Sequence, residues 1–268
     1  MSQILRKYYE IARIGYRNNS AQFGDITGIG FYIGFRVWVF SQLYRVAYRS
    51  VDAQEIGGLT LPMVIWVLAL SQAFFVSHRT RMFIKRISED VKTGNIAYSL
   101  NKPYSFPLFS LATNFGVFFS SFFFILVIGS LVAFLIAGSI KVTFFGIAAG
   151  FVLALFGALL NNVISMIIAF FAFWTEETSA FRWWYDKIHW IFGGVFIPIS
   201  LFPEQLQKIA EFLPFSHLFY TPAAMIVNFD FNKFVYFLSI QLGWILVFIL
   251  FLSFEYRLGV KKISVSGG

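Results

Sequence analysis

Few residues of this 268-residue chain have the types and spacing that enzyme chemistry requires. The chain has no cysteine, which excludes thiolate nucleophiles, thiolate metal sites and disulfides. His78, His189 and His217 are far apart, and no H-E-x-x-H pattern places two histidines on one helix face. Neither a G-x-x-x-x-G-K-[ST] phosphate loop nor a G-x-S-x-G motif occurs. The sequence therefore predicts no catalytic site, no metal site and no cofactor on this chain, and no ATP hydrolysis by the chain alone.

One cluster of ionisable residues remains compatible with chemistry on a lipid substrate. It comprises Glu176, Glu177, Arg182, Asp186, Lys187 and His189. The same residues also fit a solvated loop between two helices. An integral-membrane enzyme that acts on lipids therefore stays open as the less favoured alternative.

The composition indicates that the elements around these residues lie in a membrane. Hydrophobic residues make up 58% of the chain and charged residues 13%, against about 25% charged residues in soluble domains. A bilayer core needs ~20 mostly apolar residues per helix. Six such windows occur, at about 23–45, 59–78, 106–138, 143–174, 186–202 and 233–254. The predicted fold is an all-α integral membrane protein with six transmembrane helices in a single domain, 1–268.

The distribution of basic residues predicts the orientation. With a cytoplasmic N-terminus, fifteen Lys and Arg residues fall in inner segments and five in outer segments. Basic residues concentrate on the cytoplasmic side of membrane proteins, so both termini are expected in the cytoplasm and the chain in a cell membrane, inner or plasma. The net charge of +8 thus reflects topology, and we expect the lipid bilayer and no nucleic acid as a partner.

Charged residues within the predicted spans are rare. Arg36 either lines a substrate path as a counter-ion or extends its guanidinium to the outer headgroups. Apart from Asp186 at the edge of the fifth window, Asp25 is the only acidic residue in a span, near its end. Ion-coupled carriers generally need buried ionisable groups, so a secondary carrier or channel is a less favoured alternative. Asn161 and Asn162, in the middle of the fourth span, either form hydrogen bonds between helices or line a pore.

Three segments outside the spans have distinctive patterns. Residues 1–19 read as a basic amphipathic helix in the headgroup layer. The loop 79–105 contains a second amphipathic helix, with Ile84, Ile87 and Val91 on one face, that is expected to protrude and dock on a partner. Residues 192–228 are apolar yet hold four of the seven prolines. Because proline breaks a helix, we predict an outer re-entrant helical hairpin over 203–228, with a surface loop as the alternative.

Two stretches of the sequence resemble those of a known family. The stretch from Glu89 to Pro103 resembles the acidic, glycine-containing stretch of permease subunits of type-2 ATP-binding-cassette (ABC) exporters. The run from Gly193 to Pro203, followed by Leu213-Pro214-Phe215, is similar to the outer re-entrant signature of that family. The resemblance covers nearly the whole chain, and it is specific for the family but not for the cargo.

The resemblance implies a permease that pairs with a second permease, identical or homologous, and with two cytoplasmic ATPase subunits that hold the ATP and Mg. It implies ATPase-coupling residues at Glu89, Asp90, Thr93, Gly94, Asn95 and Ile96, with Glu176 and Glu177 as a secondary contact. The candidates for the substrate path or gate are Arg36, Asn161, Asn162, Gly193, Gly194, Pro198, Pro203 and Pro214. The 37 phenylalanines favour a hydrophobic or amphipathic substrate, such as a drug-like compound, a lipid or a lipid-linked glycan.

Overall fold

The computed structural model describes residues 3–20, 26–100, 102, 104–175 and 177–266. Among them, one short antiparallel hairpin of β1 (Glu55–Ile56) and β2 (Leu59–Thr60) interrupts an otherwise helical chain. The helices are α1 (Gln3–Ser20), α2 (Ile26–Val51), α3 (Leu61–Ser77), α4 (Thr80–Lys92), α5 (Ile96–Leu100), α6 (Phe106–Ala137), α7 (Phe144–Phe170), α8 (Ser179–Phe192), α9 (Glu204–Phe212), α10 (Ser216–Val227) and α11 (Phe231–Ser266). Two 3₁₀ turns, Phe171–Phe173 and Ile199–Leu201, follow α7 and precede α9. The all-α prediction is confirmed.

Four segments of the described chain are long and apolar enough to cross a bilayer. They are Leu61–Lys92, Phe106–Ala137, Phe144–Phe173 and Phe231–Lys262. The predicted windows 23–45 and 186–202 have no counterpart among the four, because α2 contains several charged and polar residues and α8 has only 14 residues. Residues 23–25 of the first window lie outside the described residues. The structure thus supports a multi-pass membrane protein, and the count of six spans stays a prediction.

An antiparallel hairpin of α6 and α7 runs through the bundle. Gly138, whose φ is 74°, ends α6 because this left-handed region suits glycine. The hydroxyl of Thr143 accepts a hydrogen bond from the backbone N–H of Gly146 and caps the start of α7. Asn114 donates to Asn162 at 2.6 Å and fixes the register of the pair.

α3 and α4 form one kinked segment, in which α3 packs on α6 and α10 and α4 packs on α7. Arg79 adopts a left-handed backbone conformation, with φ 45° and ψ 33°, between the two helices. Thr80 accepts a hydrogen bond from Asn161, and Ser88 donates to the carbonyl of Ala169, so α4 and α7 run in the same direction. The buried face of α4 comprises Phe83, Ile84, Ile87, Ser88 and Val91. The expectation that this helix protrudes free of the bundle is wrong for Thr80–Lys92, because α7 covers its apolar face.

α1 packs along the first half of α6, with both helices running in the same direction. Ala12 lies against Gly116, where any larger residue would collide with the Ala12 carbonyl. About two turns further along α1, Asn19 donates to the hydroxyls of Ser120 and Ser121. The predicted amphipathic helix is therefore present as Gln3–Ser20, and part of its surface packs on α6 instead of lying only among headgroups.

α8 ends in the middle of the window predicted as the fifth span. Gly193 follows its last residue, Gly194 has a φ of 65°, and Pro198 cannot continue a helix. The chain between Gly193 and the turn Ile199–Leu201 has no regular structure. The predicted helix over 186–202 is therefore corrected to a helix over Ser179–Phe192 followed by a non-helical stretch.

Candidate functional site

The predicted coupling residues come together where α4 meets α5. We call this segment, residues 89–96, the α4–α5 tip. Thr93 closes α4, because its hydroxyl and backbone N–H both donate to the carbonyl of Glu89, at 2.8 and 2.9 Å. Gly94 then turns the chain with a φ of 73°. Ile96 is fully buried and anchors α5, whereas Glu89, Thr93, Gly94 and Asn95 are exposed and Asp90 is half-buried.

Glu177 of the next predicted cytoplasmic loop lies beside the α4–α5 tip. Its carboxylate is 4.0 Å from the Nζ of Lys92 and accepts the backbone N–H of Ser179 at 2.8 Å. The backbone N–H of Ser179, with a smaller contribution from Lys92, holds the pKa of Glu177 below its usual range. The structure thus places the second predicted contact next to the first. Its neighbour Glu176 lies outside the described residues.

The α3–α4 segment connects the α4–α5 tip with the opposite end of the bundle. Near the tip, Ser88 accepts a hydrogen bond from Thr178 at 2.9 Å and donates to the carbonyl of Ala169. Further along, in the second half of α3, Gln72 donates to the carbonyl of Val195 at 2.6 Å, within the non-helical stretch after α8. Both contacts are buried. A displacement of α4 therefore has a direct structural connection to the chain around Val195.

Asn161 and Asn162 lie in buried interfaces between helices. Asn161 donates to Thr80 at 3.0 Å and accepts from the hydroxyl of Tyr185 at 3.0 Å, which connects α7 with α4 and α8. Asn162 accepts from Asn114 of α6. Both asparagines are at most 1% exposed. Of the two roles left open by the sequence, the geometry supports hydrogen bonding between helices, and their place in a substrate path stays a prediction.

The Asn161→Leu variant is expected to destabilise the bundle by roughly 1–3 kcal/mol, because it leaves the hydroxyls of Tyr185 and Thr80 without their partner in a buried site. Thermal unfolding of the purified protein in detergent measures the loss. Asn232→Leu makes the same change at an exposed position at the start of α11 and is expected to have little effect. Equal melting temperatures for the two variants would contradict the role of Asn161.

The stretch after α8 packs tightly at the other end of the bundle. Gly194 lies under Tyr220 of α10, and a Cβ at Gly194 would come within 2.8 Å of the Tyr220 Cγ. Tyr220 also accepts the backbone N–H of Ser200 at 3.1 Å. Gly193 approaches the carbonyl of His189, and Pro198 is buried. The predicted gate residues Gly193, Gly194 and Pro198 therefore lie in one packed segment.

α9 precedes α10 across a short connection, and α10 packs inside the bundle against α7 and α3. Pro203 directly precedes α9 and Pro214 lies in the connection between the two helices. α10 runs antiparallel to α7, since Gly157 of α7 contacts the carbonyl of His217 and Gly146 contacts that of Met225. The start of α10 therefore lies beside the middle of α7. Helix α11 holds it there, because Gln241 donates to the carbonyl of His217 at 3.0 Å.

Arg36 lies between aromatic rings of α2 and of the stretch after α8. Its guanidinium is 4.9 Å from the ring centre of Tyr32 and 4.3 Å from that of Phe196, and it donates to the Tyr32 hydroxyl. Tyr44 donates to the carbonyl of Phe196 at 2.6 Å. Cation–π contact stabilises a charge in a site of low polarity. Arg36 therefore attaches α2 to the segment that contains the candidate gate.

The polar side chains that hold the stretch after α8 in place were not predicted from the sequence. Gln72, Tyr44 and Tyr220 each bond to one of its backbone groups. A single polar residue in an apolar helix has no spacing that identifies its partner. The only available signal was the presence of an amide at position 72 within a predicted span, where a polar group needs a hydrogen-bond partner.

These features define a multi-pass helical membrane protein. The described helices include four that can cross a bilayer, and their buried polar side chains largely bond between helices. Within the described ranges, no group of three His, Asp or Glu side chains could hold a metal ion. The exposed polar surface at the α4–α5 tip offers a place for a partner protein.

The chain belongs to the ABC-2 family of transporter proteins, whose family profile matches residues 39–267. It is thus a multi-pass permease of an ABC transporter, a transport subunit rather than an enzyme, and the family implies ATPase partners. The resemblance stated from the sequence is confirmed. No curated protein matches the chain.

Proposed function

We propose that this permease belongs to an exporter that moves a hydrophobic or amphipathic substrate, such as a drug-like compound, a lipid or a lipid-linked glycan. Two separate cytoplasmic ABC ATPase subunits supply the energy, and a second permease, identical or homologous, completes the path. The observation that carries this proposal is the α3–α4 segment, which joins the exposed α4–α5 tip to the packed stretch around Val195.

The mechanism follows from this connection. Closure of the ATPase subunits on ATP pushes the α4–α5 tip. Because α4 packs lengthwise on α7, the two helices move together as a rigid unit. The bond from Gln72 to the Val195 carbonyl passes this movement to the stretch after α8. Gly193, Gly194 and Pro198, with Pro203 and Pro214 in the adjoining hairpin, then act as the gate on the outer side.

The proposed topology has six crossings, with both termini in the cytoplasm. The crossings are α2, α3–α4, α6, α7, α8 with the stretch to Leu201, and α11. The 26 residues of α2 span about 39 Å at 1.5 Å per residue, enough for a bilayer core of about 30 Å. The 14 residues of α8 span about 21 Å, so the non-helical stretch completes that crossing. The hairpin of α9 and α10 is re-entrant from the outer side.

A large apolar surface is available to lipid and to a second permease. The side chains of Phe31, Phe35 and Trp38 on α2 are 54–76% exposed, and those of Leu246 and Leu250 on α11 are 61–63% exposed. The rings of Phe31 and Phe35 are stacked, and those of Phe35 and Trp38 are tilted to each other, so aromatic rings line one face of α2. This surface supports both bilayer insertion and pairing of permeases, since an apolar patch of this size on a membrane protein is covered by lipid or protein.

The orientation is testable because the natural chain has no cysteine. Asn95→Cys at the α4–α5 tip and Lys141→Cys between α6 and α7 each add one thiol at an exposed position at opposite ends of α6. In intact cells, a membrane-impermeant maleimide is expected to label Cys at 141 only. After permeabilisation both are labelled. Labelling of position 95 in intact cells would overturn the orientation.

Co-expression with a candidate ABC ATPase subunit tests the proposed function. We expect a stable complex on purification and ATP hydrolysis that requires this chain. An Asp90→Ala variant in the same complex is expected to weaken this dependence while the protein still inserts in the membrane. If no complex forms in detergent or in nanodiscs with any ATPase of the host, the coupling role of the α4–α5 tip is wrong.

A further inference from the structure

A cavity lies between α1, α4 and α6 and extends from the α4–α5 tip into the bundle. Its volume is about 520 Å³, within the range of about 300–1,000 Å³ that small-molecule sites occupy. Asn95 and Lys102, which are exposed, line it near the tip, and Arg79 and Val117 line its inner end. The hydrogen bonds that connect the tip with the gate involve none of the residues around this cavity.

The cavity wall carries an excess of positive charge. Arg79, Arg86 and Lys102 line it, and Asp90 is the single acidic residue in the described part of the wall. Asp90 lies one helical turn after Arg86 and interacts with it electrostatically, so the carboxylate offsets this arginine. Arg79 forms no ion pair with a carboxylate within the described ranges. An anion with two negative charges would therefore balance the wall.

Arg79 is the charge that lies farthest from the tip. The ring of the preceding residue, His78, is 4.9 Å from that of Phe118, twelve residues beyond the start of α6, which places Arg79 roughly 18 Å along that helix. Its side chain has no hydrogen-bond or ion-pair partner in the described part of the chain. A guanidinium at this depth requires an anion, a polar group or water. The cavity that it lines is where such a partner fits.

The aromatic side chains of the wall lie nearer the tip than Arg79 does. Phe83 is four residues further along α4, which runs towards the tip, and Phe109 is three residues beyond the start of α6. These spacings place the two rings roughly 6–14 Å closer to the tip. A phospholipid with its phosphate at Arg79 would therefore extend its acyl chains towards the aqueous side. A water-soluble molecule that enters from the tip with its anionic group first meets no such conflict.

The wall between Arg79 and the tip suits a hydrophilic body rather than a bare anion. Ser110 and Thr113 supply hydroxyls, and Asn18 supplies an amide. The rings of Tyr104 and Phe109 are stacked with their centres 4.8 Å apart, and both line the cavity. A few polar groups beside aromatic surface are typical of small-molecule sites. An inorganic phosphate leaves most of this space and surface unused, whereas a sugar contacts both the hydroxyls and the ring faces.

We propose that the cavity between α1, α4 and α6 is a binding site for a soluble sugar phosphate, whose phosphate contacts Arg79 and whose sugar occupies the space towards the α4–α5 tip. Arginine pairs with phosphate by forked, charge-assisted hydrogen bonds. A phosphate monoester carries about −1.5 to −2 charges at pH 7, which matches the balance of cations and carboxylate in the wall. The site lies in this chain alone, so it does not depend on the ATPase or on the proposed function.

Isothermal titration calorimetry of the purified full-length chain in detergent tests the proposal. Ribose 5-phosphate is the probe, and ribose, inorganic phosphate and dioctanoyl phosphatidic acid are the comparisons. We expect one ribose 5-phosphate per chain with an affinity at least about tenfold above that of ribose, since one charge-assisted contact accounts for such a factor. Inorganic phosphate is expected to bind severalfold more weakly than ribose 5-phosphate. Phosphatidic acid, which carries the same phosphate group on a lipid, is expected to compete no better than inorganic phosphate.

Two variants separate binding from folding. Arg79→Gln removes the charge at the inner end of the cavity and is expected to weaken the binding of ribose 5-phosphate at least about tenfold. Its melting temperature without ligand is expected to stay at or above that of the natural chain, because the guanidinium has no partner to lose. Lys85→Gln removes a charge from an exposed residue of α4 that does not line the cavity, and is expected to change binding less than about twofold.

Three results would overturn the proposal. One is equal affinity for ribose 5-phosphate and ribose, or no effect of Arg79→Gln on the binding of ribose 5-phosphate. Another is binding of inorganic phosphate as tight as that of ribose 5-phosphate, which would assign the site to a free anion. The third is tighter binding of phosphatidic acid than of ribose 5-phosphate, which would assign the site to a lipid.

Discussion

Replacing Gly94 by valine is expected to remove most of the ATP hydrolysis that depends on this chain while the helical bundle stays intact. Gly94 has a φ of 73°, and a Cβ there would meet no atom within 4 Å. The left-handed conformation costs a residue other than glycine about 1–2 kcal/mol, and a β-branched residue adopts it rarely. The population of the native turn therefore falls roughly 5–30-fold. ATPase activity of the reconstituted complex and the melting temperature of the permease are the two measurements.

Gly138→Val provides a matched control. Gly138 has a φ of 74° and likewise no atom within 4 Å of a Cβ, but it lies at the opposite end of α6, in the turn to α7. Both variants impose a backbone penalty, and that of Gly138→Val is at least as large, because Gly138 has a ψ of −164°, in a region that almost only glycine adopts. We expect a fall in melting temperature for both and a loss of coupling for Gly94→Val alone. Loss of ATP hydrolysis in both variants would show that the effect is general destabilisation.

The second large effect is expected from Gly194→Val. Here the backbone penalty at a φ of 65° adds to a collision with Tyr220. The backbone strain and the collision together are expected to lower the free energy of unfolding by roughly 2–5 kcal/mol. The stretch after α8 must therefore move away from α10, and the hydrogen bonds of Gln72 to Val195 and of Ser200 to Tyr220 are broken. We expect a lower melting temperature, and loss of transport even where the complex with the ATPase still forms.

Gly58→Val separates this packing effect from backbone strain. Gly58 lies in the β1–β2 connection, has a φ of 74° and has open space around a Cβ. The Gly58→Val variant is expected to lose only the stability that corresponds to the backbone strain, because its new side chain collides with no other atom. If Gly58→Val and Gly194→Val reduce stability and transport equally, the packing of Gly194 against Tyr220 has no special role.

The sequence predicted the long apolar helices well because hydropathy is a property of single segments. The windows 106–138 and 143–174 agree closely with α6 and α7. The glycine at position 138 and the threonine at position 143 mark the ends of these helices by local backbone chemistry. Such signals need no knowledge of the remaining chain.

The placement of amphipathic helices could not be predicted in the same way. The apolar face of α4 was visible in the spacing of Ile84, Ile87 and Val91, but periodicity does not identify the surface that covers such a face. The structure shows that α7 covers it, through hydrogen bonds of Thr80 and Ser88. Likewise, the helix in the fifth window ends at Gly193 and Gly194, and the close packing of Gly194 involves Tyr220 of α10, in another part of the chain.

The candidate site was predictable as a stretch of sequence and not as a set of contacts. The resemblance indicated residues 89–96, and the structure places them on one exposed tip. It did not indicate Gln72, whose bond to Val195 joins this tip to the other end of the bundle through α3 and α4. Contacts between residues more than one hundred positions apart follow from tertiary packing, which a single sequence does not display.

Site-specific crosslinking tests whether the ATPase contacts the α4–α5 tip. In the cysteine-free chain, Asn95→Cys carries a photoactivatable crosslinker at the α4–α5 tip, and Lys141→Cys carries the same group at the opposite end of α6. With a co-expressed ABC ATPase subunit in membranes, we expect a permease–ATPase adduct from position 95 and none from position 141. Absence of an adduct from position 95 in a complex that hydrolyses ATP would contradict the claim that the ATPase acts on this tip.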